Sequence, residues 1–164
     1  MTISVGGVVV MTTNNIVIRG ADTADAAVIV EFNKAMARET EDRNLEHAIV
    51  WEGVKALLGD RRLGFYVVAQ DRASIVGSLM TTTEWSDWRN GVFWWIQSVY
   101  VHPEYRRRGV YRGLYDFVKE RAHSENVCGF RLYVEKDNVR AQQTYRALGM
   151  TETVYKMYEE LYTR

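Results

Sequence analysis

Apolar residues recur along the chain with two different spacings, and the switches between them lay out the fold. Ile16 to Arg19 is a short apolar run closed by Gly20 and predicts a first strand. Asp22 and Thr23 then offer cap side chains for a helix through about Arg38, along which Val28, Ile29, Phe32, Ala35 and Met36 recur at helical spacing. The polar stretch Glu39 to Asn44 breaks it. A second helix, about Leu45 to Leu58, carries Ile49, Val50, Val54, Leu57 and Leu58 on one side. From Gly64 the period becomes that of strands: Phe65 to Gln70 and Ser74 to Thr83, separated by Asp71-Arg72-Ala73, short enough for a hairpin. Glu84 to Gly91 reads as a loop. Val92 to Val101 is apolar at both parities, as in a strand buried on both faces, and must end at His102-Pro103, where proline supplies no ladder donor.

Gly109 to about Ser124 is the clearest helix, with a stripe of Val110, Leu114, Phe117 and Val118. Cys128 to Glu135 predicts a strand, Val139 to Leu148 a short helix closed by Gly149, and Thr153 to Glu159 a last strand. The predicted order is β-α-α-β-β-β-α-β-α-β, with no repeat, low-complexity segment or linker. This is one mixed α/β (α+β) domain over residues 16–164. Met1 to Asn15 has an apolar patch, Val8 to Met11, but no basic leader and too short an apolar run for a signal peptide or membrane span. It reads as a disordered tail, 1–15.

Composition narrows the function classes. The length of 164 residues fits one domain. With 21 Lys plus Arg against 21 Asp plus Glu, the formal charge is zero, which argues against general nucleic-acid binding. The single cysteine, Cys128, permits no intramolecular disulfide, and no Cys/His spacing suggests a metal; a reducing, cytoplasmic compartment is expected. Cys128 reads as a small buried residue, and the three histidines as structural or surface groups. The 5 Trp and 10 Tyr point to a large core or to a pocket with flat apolar walls.

The most informative stretch is Val101-His102-Pro103-Glu104-Tyr105-Arg106-Arg107-Arg108-Gly109-Val110-Tyr111-Arg112-Gly113-Leu114, a strand that ends, turns and becomes an amphipathic helix. Backbone N–H groups at a helix start lack intrahelical partners and sit at the positive end of the dipole. Gly109 removes a side chain where a phosphate must approach, and Arg106, Arg107, Arg108 and Arg112 add positive charge around it. A diphosphate is the natural ligand; a solvated basic turn is the bland alternative.

At these residues the chain resembles the GNAT superfamily of acyl-CoA-dependent N-acyltransferases, in an uncharacterised bacterial-type subgroup. Arg106-Arg107-Arg108-Gly109-Val110-Tyr111 is similar to that family's Arg/Gln-x-x-Gly-x-Gly/Ala loop at the first and fourth places, and departs at Tyr111. A second stretch, Asn138-Val139-Arg140-Ala141-Gln142-Gln143-Thr144-Tyr145-Arg146-Ala147-Leu148-Gly149-Met150, is on structural grounds only a capped short helix. It matches the family's Asn-x-x-Ala-x-x-x-Tyr-x-x-x-Gly-Phe/Met at every defined place.

The resemblance implies a GNAT fold, with a mixed, mostly antiparallel sheet flanked by helices and splayed near Val99. It implies acetyl-CoA as co-substrate between the strands Val92 to Val101 and Cys128 to Glu135. Backbone groups of Val99, Tyr100 and Val101 would meet the pantetheine arm, and N–H groups from Arg107 through Gly109, Val110 and Tyr111 to Arg112 the diphosphate. Asn138 would contact pantetheine, and Tyr145 would be the general acid, a role that suits a phenol protonated at neutral pH.

The family often takes the amine proton through a Glu on the central strand; here the corresponding place falls at Gln97, which cannot act as a base. Glu84 and Asp87, set among Trp85, Trp88 and Trp95, are the candidates to remove a proton or hold an ammonium by charge and cation-π contact. The same loop also reads as a hairpin whose aromatics cover the core edge. Glu39 and Glu41, at the break between the first two helices, form a second acidic patch that could border the acceptor pocket; a solvated helix end accounts for them equally. The expected activity is N-acetyl transfer to a primary amine, more of small-molecule than of peptide or protein type. A non-catalytic acyl-CoA-binding module is the alternative. No nucleic acid, membrane or metal is expected, and the resemblance allows a homodimer.

Overall fold

Asp22 and Asp25 start the helical layer by pairing with each other's backbone. Ala24 N donates to the Asp22 carboxylate at 2.8 Å and Asp22 N to that of Asp25 at 3.0 Å, a reciprocal cap. Arg19, on the preceding strand, donates to both Asp25 oxygens at 2.7 and 2.9 Å, so the strand end and the helix start are tied together. The computed structural model describes residues 2–5, 8–13 and 15–162, the first two segments by their backbone alone. The chain up to Leu132 and the segment from Tyr133 onward are separate compact units.

The first unit carries a seven-stranded sheet whose strands neighbour one another in chain order. They are β1 (Thr2–Val5), β2 (Val8–Thr13), β3 (Ile16–Gly20), β4 (Phe65–Asp71), β5 (Ser74–Ser86), β6 (Gly91–Val101) and β7 (Val127–Arg131). All pairs are antiparallel except β6 with β7, which is parallel and therefore needs a crossover; α3 (Val110–His123) supplies it. Helices α1 (Ala26–Glu41) and α2 (His47–Gly59) cover one face, where Ile29, Val30, Val54 and Leu57 pack with Tyr66 and Val68 of β4. On the other face Phe65 meets Trp94 edge-on at 5.1 Å, and Arg121 of α3 lies 3.9 Å above the Phe65 ring. From β3 to β7 the element order is thus as the periodicity predicts, and the α+β class and mostly antiparallel sheet are as the resemblance implies.

Four expectations are corrected. Thr2–Val5 and Val8–Thr13, within the predicted disordered tail, are strands: the β-branched run Val8-Val9-Val10 pairs with Val5, Ser4 and Ile3 of β1, and Met11 to Thr13 join the edge of β3, with Met11 opposite Ile18. Glu84 to Ser86, predicted as loop, prolong β5 opposite Gly91 to Phe93. Cys128 is exposed rather than buried. Thr153 to Glu159, predicted as a strand, forms neither strand nor helix: it joins no ladder, and its alternating Val154, Tyr155, Met157 and Tyr158 lie exposed. The second unit otherwise contains α4 (Val139–Ala147), begun by Asn138 and ended at Gly149, whose φ is 87°.

Leu114, fully buried on α3, holds that helix to the sheet. Leu114→Ala should lower unfolding free energy by about 2–5 kcal/mol, read by urea denaturation. A loss below about 1 kcal/mol would show that α3 is not seated as described.

Candidate active site

The sheet opens along β6. Its ladder with β7 covers only Val92 to Trp95, with Arg131 opposite Trp95 as the last pair. From Ile96 to Val101 the strand keeps β5 on one side and has no strand on the other among the described residues. The β5 register shifts at the same place: Gln97 faces Met80 and Tyr100 faces Ser78, so Ser98 and Val99 together oppose one residue, and Ser98 adopts φ 46°. Such a bulge adds twist and turns the strand out of its ladder. His102 N donates to Val76 O at 2.9 Å. By the alternation of an antiparallel pair, Tyr100 then directs its backbone groups to β5, and Val101 directs its N–H and C=O to the open edge.

The turn beyond β6 leads directly to a helix start. Arg107 (φ 66°) and Gly109 (φ 81°) are left-handed, a conformation that glycine adopts without the steric cost of a Cβ. The intrahelical bond from Gly113 N to Gly109 O, 2.9 Å, is the first of α3, so the N–H groups of its first turn, Val110 to Arg112, have no acceptor within the helix, and Gly109 offers no capping side chain. Gly77 lets this turn settle on the sheet, since a Cβ there would lie 3.1 Å from Tyr100 O and 3.2 Å from Val110 Cγ1. The Tyr111 ring is turned toward Tyr115, one turn further along α3, with centroids 6.4 Å apart. The residue that departs from the glycine pattern therefore packs along its own helix.

The four arginines divide. Arg106 is committed: its Nε donates to Val101 O at 2.9 Å, its Nη2 to Glu39 at 2.6 Å, and its guanidinium lies 5.6 Å from the Tyr100 ring centre. Arg108 lies 5.1 Å from the Tyr105 ring centre. Arg107 and Arg112 are exposed and form no ion pair among the described residues. Glu39, expected to recognise a cation, instead joins Arg106 and the Tyr100 hydroxyl, which donates to it at 3.2 Å. Its charge is spent on fixing the loop to α1. Glu41 pairs with Arg43 at an exposed helix end, the solvated alternative.

On the sheet face covered by α1 and α2, alternation brings Phe93, Trp95 and Gln97 of β6 beside Thr82 and Glu84 of β5. Gln97 Nε2 donates to Thr82 Oγ1 at 2.9 Å. Glu84 accepts from Trp95 Nε1 and from Arg131 Nη1, and the Arg131 guanidinium lies 3.9 Å from the Phe93 ring centre. The Trp95 hydrogen bond, reinforced by Arg131, holds the Glu84 carboxyl below the usual carboxylate range, which weakens it as a proton acceptor. Trp85, Asp87 and Trp88 do not join this group. Trp85 has the opposite parity to Glu84, Asp87 accepts from Trp88 N, and both tryptophans are exposed, Trp88 by 86 %. The expected box of two acids between tryptophans is therefore not assembled. Arg131 was missing from the sequence candidates, since only the parallel register opposite Trp95 reveals its place.

In the second unit, Asn138 Oδ1 accepts from Ala141 N at 3.0 Å and so is used as a helix cap. Burial pushes the Tyr145 phenol up from its ordinary value. No helix among the described residues is long and apolar enough to cross a membrane, and no cluster of metal-ligating side chains occurs among them.

The solved structures with the same fold include a possible acetyltransferase from Clostridium difficile 630, 45 % identical, covering 92 % of this chain and 100 % of that one at a TM-score of 0.85. They also include a predicted acetyltransferase from Clostridium acetobutylicum solved with acetyl-CoA, 18 % identical, covering 88 % and 96 %, at a TM-score of 0.74. A curated relative, the L-methionine sulfoximine/L-methionine sulfone acetyltransferase of Salmonella typhimurium, is 27 % identical over 145 residues, 83 % of this chain and 80 % of its own. Residues 28–150 match the acetyltransferase (GNAT) family. With an opened β6 edge running into a glycine turn and an uncapped helix start, the chain belongs to the GNAT family and is an N-acetyltransferase.

Proposed function

We propose that the protein transfers the acetyl group of acetyl-CoA to the primary amine of a small molecule, by direct attack and without a covalent enzyme intermediate. The observation that carries this reading is the loss of β7 pairing after Trp95, because it leaves a row of β6 backbone groups pointing at an edge that ends at the start of α3, where the first-turn N–H groups have no acceptor within the helix. An extended amide-bearing arm suits such an edge, and a diphosphate suits the helix start. The residues present therefore fit acetyl-CoA, which supplies the activated thioester. Arg107 and Arg112 provide charge for the diphosphate; Arg106 instead orders the loop through Glu39 and Val101.

In the transfer, the amine nitrogen forms a bond to the carbonyl carbon and the carbon–sulfur bond breaks. The ammonium gives one proton to water before attack, since Gln97 cannot accept one and Glu84 is a weakened acceptor; the nitrogen's second proton leaves as the carbon–sulfur bond breaks and, through water, restores the proton that Tyr145 gives to sulfur. Gln97, held by Thr82, orients that water or the amine. Tyr145 protonates the departing sulfur; its raised pKa keeps the phenol charged with its proton across the working range. The Salmonella relative acts on amino-acid derivatives, which supports a small-molecule acceptor over a protein. Free thiol measured over a panel of small amines and of peptides tests the reading. Small amines should exceed peptides in kcat/KM, and turnover confined to peptides would overturn it.

A pH prediction follows from the same assignment. With the Glu84 carboxyl held below its ordinary range and burial pushing the Tyr145 phenol above its own, kcat/KM should rise with pH along a single limb set by the acceptor amine. Glu84→Gln should change acceptor KM while leaving that limb in place. If the variant shifted or removed the limb, Glu84 would be the base after all.

A further inference from the structure

Arg131 stands at the point where the sheet parts, as the last β7 residue paired with β6. Its side chain is about a third exposed, at 35 %, and its guanidinium is fixed in three ways. Nη1 donates to Glu84, the plane lies against the Phe93 ring, and Glu84 is itself held by Trp95 Nε1. Nε and Nη2 make no hydrogen bond among the described residues, and these two nitrogens form the side-on fork that takes a carboxylate. Gln97 lies two residues beyond Trp95 on the same face, roughly 7 Å along the strand.

An exposed ion pair of this kind adds about 0–1 kcal/mol to stability, so its fold value alone is small. Its shape suggests a ligand. A carboxylate and a cation held side by side complement a molecule that carries an ammonium and a carboxylate on the same carbon. We propose that Arg131 selects the acceptor by its carboxylate, with Glu84 facing the neighbouring ammonium, so that the acceptor is a zwitterionic α-amino acid. This inference rests on the small-molecule reading above and names the class of molecule within it. Arg131 is then a specificity residue, and Glu84 both clamps it and receives the amine before the proton leaves to water.

The test measures kcat and KM by thiol release for the common L-amino acids and for L-methionine sulfone, each against its α-carboxamide, with amines that lack a carboxylate alongside. The wild-type enzyme should prefer acids to amides by about tenfold or more in kcat/KM, the scale of a charge-assisted hydrogen bond. Arg131→Gln should raise KM for acids by a similar factor, leave kcat within about threefold, and raise KM for the amides, which lose only the Arg131 hold on Glu84, by clearly less. Arg131→Lys, which keeps the charge without the fork, should recover part of the preference; a Lys variant no better than the Gln variant overturns recognition by charge. Wild-type turnover of amides as fast as acids overturns the inference alone, as does an Arg131→Gln defect equal for both, since that is what loss of structure would give. Turnover of peptides and of no small amine overturns the small-molecule reading, and this inference with it.

Discussion

Replacing Tyr145 by phenylalanine should lower kcat by about two to three orders of magnitude, within the usual range for a positioned general acid. The ring stays and only the hydroxyl is lost, so acetyl-CoA affinity, read by calorimetry, should change by less than about threefold. The effect should fall on the chemical step, where the departing thiolate otherwise takes its proton from water. The phenol suits this work because burial raises its pKa, so that the proton stays in place until the sulfur needs it. A Tyr145→Phe enzyme with wild-type kcat would remove Tyr145 from the mechanism and leave its place in α4 as a packing residue only.

The second large effect concerns Gly109. Valine at φ 81° places a branched Cβ in a conformation that costs roughly 1–3 kcal/mol, and the chain can relieve this only by rotating the turn that aims the N–H groups of Val110, Tyr111 and Arg112. Gly109→Val should therefore weaken acetyl-CoA binding by about tenfold or more, while Gly109→Asn, which tolerates the left-handed region, should lose much less. Equal affinity for all three proteins would refute the helix start as the diphosphate site. Circular dichroism separates this from unfolding, because the fully buried contacts of Leu114 and Val118 on the same helix remain.

Most of the scaffold could be read from residue spacing because its signals are local. The stripe from Val110 to Val118 specifies α3, and the two-residue turn Arg72-Ala73 joins strands whose alternation is plain. The turn at Arg106 to Gly109 is likewise a local property, since a glycine before an amphipathic helix needs no distant partner to be recognised. What spacing could not supply was pairing. Val8 to Thr13 becomes a strand because β1 pairs with Val8 through Met11 and β3 offers an edge to Met11 through Thr13, whereas Thr153 to Glu159, also rich in β-branched and aromatic residues, joins no ladder. Nothing local distinguishes those two cases.

The acceptor side was least legible for the same reason. Glu84, Trp95 and Arg131 come from three strands, and a register shift of one residue would send any of them to the opposite face. Sequence proximity grouped Glu84 with Trp85, Asp87 and Trp88, and the extension of β5 through Ser86 divides them by parity. Nothing near Glu39 in the chain announces its partner, Arg106, which is 67 residues away. The arginine run thus has two roles that charge counting alone cannot separate: Arg106 anchors the loop to α1, and Arg107 and Arg112 remain exposed beside the helix start.

The central claim is amine-dependent transfer from acetyl-CoA on this fold, and its most direct measurement is free thiol released from acetyl-CoA with and without a small primary amine, alongside the mass of the amine product. Thiol release should depend on the amine, be matched one for one by a product heavier by one acetyl group, and be nearly abolished by Tyr145→Phe. Acetyl-CoA bound by the wild-type protein with no amine-dependent thiol release across small amines and peptides would contradict the central claim, and would make the protein an acyl-CoA-binding module.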